Sequence, residues 1–214
     1  MRGTTRTAAL AGVSALALLT AACSGGSDDP SSASGSAGNT GAAGGELTIH
    51  GCTPQNPFIP ANTNETCGGN ILDAVLAKLI HYNPDTAAPE MDLAESIESE
   101  DNQTFTVKLK PGMMFSDGTE VKAKNFVDAW NWSRAGKNAQ LNAYFFDVIE
   151  GALDMDCGLS KDKEGVDVPD CEKKPAKADT MTGLKVVDDH TFTIKTTEKV
   201  SNLPVRLGYT AFAP

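Results

Sequence analysis

Five cysteines, three histidines and 28 acidic residues are the groups in this 214-residue chain that could hold a metal, act as a nucleophile or move a proton. His50, His81 and His190 are scattered, and no two cysteines have C-x-x-C spacing. The ligand pattern of a zinc site is therefore missing, and His50 beside Cys52 is the nearest approach to one. No metal is expected. The chain also lacks a G-x-S-x-G elbow, an H-E-x-x-H helix, a Walker loop and a Rossmann glycine pattern. Carboxylates are numerous enough for a glycosidase pair, but no spacing singles one out. The expectation is a protein that binds, with no enzyme activity and no cofactor.

The chemistry left to the cysteines is cross-linking and lipid attachment. Arg2 and Arg6 precede an apolar run over residues 8–19, followed by Thr20-Ala21-Ala22-Cys23. A basic start, a short apolar stretch and small residues before a cut site make an export signal over residues 1–22. The run is too short to span a bilayer. The Cys23 context resembles a bacterial lipobox, in which the chain is cut before the cysteine and acyl chains (palmitate among them) are attached to it. Several acyl chains on one residue would give the stable anchoring that one chain does not. The remaining cysteines, Cys52, Cys67, Cys157 and Cys171, are even in number in an exported chain and favour disulfides. Four cysteines allow three pairings. The sequence-local choice is Cys52 with Cys67 and Cys157 with Cys171.

Residues 23–45 are a lipid-bearing cysteine and a Ser/Gly/Ala tether with almost no apolar surface to offset ordering entropy, so they are expected to stay disordered. A formal net charge of −10 excludes a nucleic-acid partner, which needs a basic face, and excludes docking on anionic lipid by charge alone. Loss of Arg2 and Arg6 with the signal makes the mature chain more acidic still.

The elements that must position any site begin with a short strand over residues 46–51, ELTIHG. A Pro- and Asn-rich loop follows and carries Cys52 and Cys67. Asn70 can then cap a helix over residues 70–82, with Ile71, Leu72, Val75, Leu76, Leu79 and Ile80 on one face and Asn83-Pro84-Asp85 as its stop. Residues 104–110 alternate, with Phe105, Val107 and Leu109 on one side of a strand. Pro111-Gly112 and Asp117-Gly118 are turns. From Ala123 to Arg134 the period becomes helical, with Phe126, Val127 and Trp130 together. Residues 160–179 read as a charged surface excursion, and residues 184–195 as a hairpin turning at Asp188-Asp189.

The strongest pattern, TFTVKLKPGMMFSDGTEVKAKNFVDAWNW, resembles the signature of family 5 solute-binding proteins of ABC importers, the oligopeptide- and dipeptide-binding group. Phe105, Leu109, Gly112, Phe115, Asp117, Gly118, Thr119, Ala123 and Trp130 match that signature. Lys122 and Asn125 depart from it, which is expected to weaken the helix cap. Asp92-Leu93-Ala94-Glu95-Ser96, the hairpin from Gly183 to Phe192, and Pro214 follow in the family's order.

The resemblance implies a mixed α/β fold of the periplasmic-binding-protein type II, of which residues 46–214 would be an incomplete, N-terminal part of the first lobe. It implies a monomeric lipoprotein on the extracytoplasmic face of the cell membrane, capturing peptides and passing them to ABC permease subunits. Another solute, such as an oligosaccharide or metal chelate, is the alternative ligand, and a tethered envelope scaffold or adhesin the alternative class. In the family the loop after the first strand borders the ligand cleft, which makes Thr53, Gln55 and Asn56 the expected ligand contacts. Family members are much longer, so the resemblance also implies that this chain is a fragment with little clamping affinity.

Overall fold

The computed structural model describes Thr48 and residues 50–214. The export signal, Cys23 and the tether lie outside the described residues, as do Glu46, Leu47 and Ile49 of the expected first strand. Thr48, His50 and Gly51 belong to no strand. In chain order the elements are α1 (Thr66–Val75), β1 (Ile80–Tyr82), β2 (Pro89–Met91), β3 (Ala94–Glu98), β4 (Thr104–Leu109), α2 (Ala123–Arg134), β5 (Leu159–Lys161), β6 (Asp167–Pro169), β7 (Leu184–Asp188), β8 (Thr191–Lys195) and α3 (Leu203–Arg206). Short 3-10 turns lie between them.

Four antiparallel strands make the main sheet, in the order β3-β4-β8-β7. The alternation in β4 buries Phe105, Val107 and Leu109 and turns Thr104 and Lys108 outward. Its register sets Val107 opposite Phe192 and Phe105 opposite Ile194, so the buried faces of β4 and β8 coincide. Helix α2 covers that face with Phe126, Val127 and Trp130. Trp130 meets Phe192 and Phe212 edge-on, at 5.6 and 5.3 Å between ring centroids, and Phe126 stacks on Phe192 at 5.6 Å. Fully burying one such side chain contributes about 1.5–3 kcal/mol, so this cluster is the main source of cohesion.

The signature loop between β4 and α2 holds these layers in place. Gly112 and Gly118 adopt φ of +73° and +83°, a region where side chains are strained. Asp117 Oδ1 accepts the Thr119 N–H at 2.8 Å and its hydroxyl at 2.7 Å. Lys122 Nζ contacts Asp189 Oδ2 at 2.7 Å, and the Ala123 N–H donates to the Asp189 carbonyl at 2.8 Å. Lys122 gives α2 no side-chain cap hydrogen bond, in line with the expected weakening, and the cap that remains comes from Asn125. Its Oδ1 accepts the Lys122 N–H at 2.7 Å, one half of a capping box.

Two expectations are corrected. The helix over residues 70–82 is instead α1, which starts at Thr66 and ends at Val75. Its N-cap is Glu65, whose carboxylate accepts the Gly68 N–H at 2.8 Å, and Asn70 lies inside the helix. The apolar run continues beyond Val75, but Lys78–Tyr82 has competing partners. Leu79 accepts from the Asp92 and Ala94 amides, Asp92 Oδ2 accepts the Lys78 N–H, and Ile80 pairs with Met91. Tertiary pairing overrides helical periodicity there. The hairpin turn is Asp189-His190, one residue later than expected, because Asp188 still pairs with Thr191 across a register shift after Val186.

The excursion after the core is a small, mostly exposed hairpin of β5 and β6. The Cys157–Cys171 disulfide closes its base. Beyond β8 the chain returns through α3 and buries Leu203, Leu207 and Phe212. This return brings Gly208, Tyr209 and Thr210 to one wall of a groove whose other lining residues include Asn70 and Asp73 of α1.

Candidate functional site

A groove of about 430 Å3 lies at the start of α1. Asn64, Glu65, Thr66, Asn70 and Asp73 line it from the loop and helix, and Tyr82, Tyr209 and Thr210 from β1 and the returning chain. The loop before α1 is stapled by the Cys52–Cys67 disulfide. Thr53 and Gln55 are exposed on this loop, and Asn56 is half-buried. The Gln55 N–H donates to Glu65 Oε1 at 3.2 Å, and Asn56 Nδ2 to Asn64 Oδ1 at 3.2 Å. Neither residue lines the groove itself, though each is bonded to a residue that does, while Thr53 has no hydrogen bond to a lining residue among the described residues.

The groove's charges are already engaged. The Gly68 N–H, followed by weaker backbone bonds from Gln55, Asn56 and Cys67, holds the Glu65 carboxyl below its ordinary range. Asp73 is paired with the buried Lys78. No lining residue is basic.

Aromatic rings give the opposite wall its shape. Tyr209 stacks on Phe145 at 4.4 Å, and Phe145 on Tyr144 at 4.5 Å, with interplanar angles of 27° and 30°. Burial raises the Tyr209 phenol pKa, Tyr144 adds to the rise, and the side chains of Asn142 and Thr210 offset part of it. Burial also raises Tyr82, with Asp73 adding to it. Both phenols thus stay protonated as donors at neutral pH. Tyr82 Oη donates to the Val205 carbonyl at 2.7 Å. Gly208 sits so close that a Cβ there would lie 2.8 Å from the Tyr82 ring.

Such a lining of amides, hydroxyls, rings and carboxylates already bound within the protein suits recognition by hydrogen bonding and stacking. No three His, Cys, Asp or Glu residues are grouped to hold a metal among the described residues. Sequence reading did not identify Asn70, Asp73, Tyr82, Tyr209 and Thr210 as site residues. The last two lie more than a hundred residues from α1, and no local spacing marks them.

Known proteins resemble this chain in sequence and in fold. Residues 88–214 match the family model of bacterial extracellular solute-binding proteins, family 5, middle. The oligopeptide-binding protein OppA of Bacillus subtilis is 31% identical over 111 residues, covering 50% of this chain and 20% of the relative. The periplasmic oligopeptide-binding protein OppA of Escherichia coli is 31% identical over 112 residues, covering 52% and 18%. Among solved structures, Haemophilus influenzae OppA in complex with the peptide RPPGFSPFR is similar at 26% identity and a TM-score of 0.62. That match covers 77% of this chain and 29% of the other. The fold is thus mixed α/β, of the type II periplasmic-binding-protein kind, and the aligned region spans about a fifth of the length of these curated relatives.

Proposed function

This chain belongs to the bacterial extracellular solute-binding proteins of family 5, and from that membership we propose that it is the substrate-binding lipoprotein of a peptide-importing ABC transporter. The observation that carries the proposal is the groove at the start of α1, in a chain whose relatives are named for binding oligopeptides. Gln55 and Asn56 are bonded to its lining residues Glu65 and Asn64, and Tyr82 and Tyr209 form its walls. An extended peptide offers alternating N–H and C=O groups, which amide and hydroxyl side chains can match. Its side chains can pack on the tyrosine rings.

In this reading, residues 1–22 are cleaved, Cys23 carries the lipid and residues 24–45 are the tether, on the extracytoplasmic face of the membrane. The anchor keeps the carrier near its permease, which raises the effective concentration of the pair. The region matched to the family corresponds to part of the length of its peptide-binding relatives, whose ligand enclosure would draw on the rest of that length. Thr53, exposed on the same loop, is kept as a third ligand contact on the family resemblance alone.

Uptake tests the proposal. Deleting the coding sequence in the source cell should cut accumulation of labelled tri- to pentapeptides. Cys23→Ala should release the product from the membrane fraction. Unchanged peptide uptake in the deletion strain would refute the transport reading.

A further inference from the structure

We propose that Asn142 is the positioning residue of this groove: it fixes the ligand loop on one side, and the turn it opens sets the aromatic wall on the other. The inference rests on the peptide-binding reading given above.

The loop preceding α1 has two halves held in different ways. Residues 52–56 are held by the disulfide and by two exposed hydrogen bonds, from the Gln55 N–H and Asn56 Nδ2. Residues 57–63 form a compact turn, in which Ile59 accepts the Asn62 and Thr63 amides at 2.8 and 2.9 Å. The Thr63 hydroxyl donates to the Pro57 carbonyl at 2.7 Å. Thr63 is buried, and among the described residues the hydrogen bonds within residues 57–63 tie the turn only to itself.

Asn142 supplies an anchor from about 80 residues away in sequence. It is fully buried, at 0% exposure. Its N–H donates to the Ala61 carbonyl at 2.8 Å, and its Nδ2 to the Thr63 carbonyl at 2.9 Å and the Pro60 carbonyl at 3.4 Å. One residue thus serves three carbonyls of the turn, and its amide orientation is set by two acceptors. The Asn142 carbonyl in turn accepts the Phe145 N–H at 3.1 Å, opening the 3-10 turn over Ala143–Phe146. Phe145 carries the stack onto Tyr209. A shift at Asn142 would therefore move the loop and the tyrosine wall together. Buried polar links of this kind hold a geometry because breaking them leaves carbonyls unpaired.

The experiment compares the full chain with Asn142→Asp, which keeps the side-chain size, removes the amide donors and sets a carboxyl against two carbonyls. Hydrogen exchange at Asn62 and Thr63 should quicken by about tenfold or more, with β4 and β8 unchanged, and affinity for trialanine should fall by about tenfold, the scale of one lost buried hydrogen bond. Exchange quickened equally throughout, β4 and β8 included, would show a general loss of stability and overturn the positioning role. Wild-type exchange at Asn62 and Thr63 together with wild-type affinity would overturn the proposal. If the wild type binds neither trialanine nor longer peptides, the peptide reading fails, while loop-confined exchange still supports the positioning role. Should Asn142→Asp fail to fold, exchange of the wild type along a urea gradient decides. The Asn62, Thr63 and Phe145 amides should open in one step, and separate openings would overturn the proposal.

Discussion

Trp130 Nε1 donates to the Phe212 carbonyl at 3.1 Å, joining the middle of α2 to a residue 82 positions later. The bond is buried, and the indole also touches the rings of Phe146, Phe192 and Phe212. The signature's tryptophan therefore fastens the returning chain that carries Tyr209 to the helix. Trp130→Phe should cost about 1–3 kcal/mol, from the unpaired carbonyl and the lost ring volume. Trp130→Ala should cost about 3–5 kcal/mol. Urea denaturation of the variants measures both.

Arg134 gives a second prediction. The side chain is 4% exposed and binds Asp156 through both Nη atoms, at 2.7 and 2.9 Å, with Nε 2.8 Å from Asp147. The planar fork holds the Asp156 carboxylate with two parallel hydrogen bonds, which a single ammonium cannot do, and its charge lies against Asp147. Arg134→Lys should therefore destabilise by about 1–3 kcal/mol despite conserving charge, read as a lower urea midpoint with an unchanged slope.

How far these relations could be read from the sequence depends on whether their causes are local. The strand alternation around Phe105, Val107 and Leu109 and the helical spacing of Phe126, Val127 and Trp130 are set by burial periodicity, and both elements stand where the pattern puts them. The end of α1 could not be read locally, because the competing partners of Lys78, Leu79 and Ile80 lie at Met91, Asp92 and Ala94. Its start was obscured because Gly68 and Gly69 look like helix breakers. Gly68 is needed there, since a Cβ would lie 2.4 Å from the capping Glu65 carboxylate. The groove's lining was not legible, since the loop residues Thr53, Gln55 and Asn56 that the family resemblance suggested do not line it. Tyr209 and Asn142 reach it through contacts that no spacing announces.

Gly208 supports a prediction about the groove wall. A Cβ at this position would meet Ile80 Cγ1 at 2.8 Å and Tyr82 Oη at 2.9 Å. Gly208→Ala must displace the Tyr82 ring and strain its bond to Val205. Overpacking of this kind should cost about 1–3 kcal/mol. A weaker peptide response should accompany the lowered melting temperature.

Stability should fall on acidification. A hydrogen bond from His190, then one from the Gly112 N–H, holds the Glu120 carboxyl below its ordinary range. Asp101 is held low by the Thr104 and Gln103 amides, and Asp117 by the hydroxyl and amide of Thr119. A carboxyl depressed in the folded state stabilises above its unfolded pKa, about 3.9–4.3 for Asp and Glu, and loses that contribution as pH falls through the folded value. Burial pushes Asp147 the other way, against the pull of Arg134, so its protonation favours the folded state. The depressed groups are more numerous, so the melting temperature should decline below about pH 4.5. Glu120→Gln should make that decline shallower.

An amide NMR titration of the full mature chain with tri- to pentapeptides tests the central claim most directly. The account predicts saturable shifts confined to Gln55, Asn56, Asn70, Tyr209 and their neighbours, with the peptides recovered intact. Absence of shifts at millimolar peptide, or shifts centred away from this groove, would contradict it.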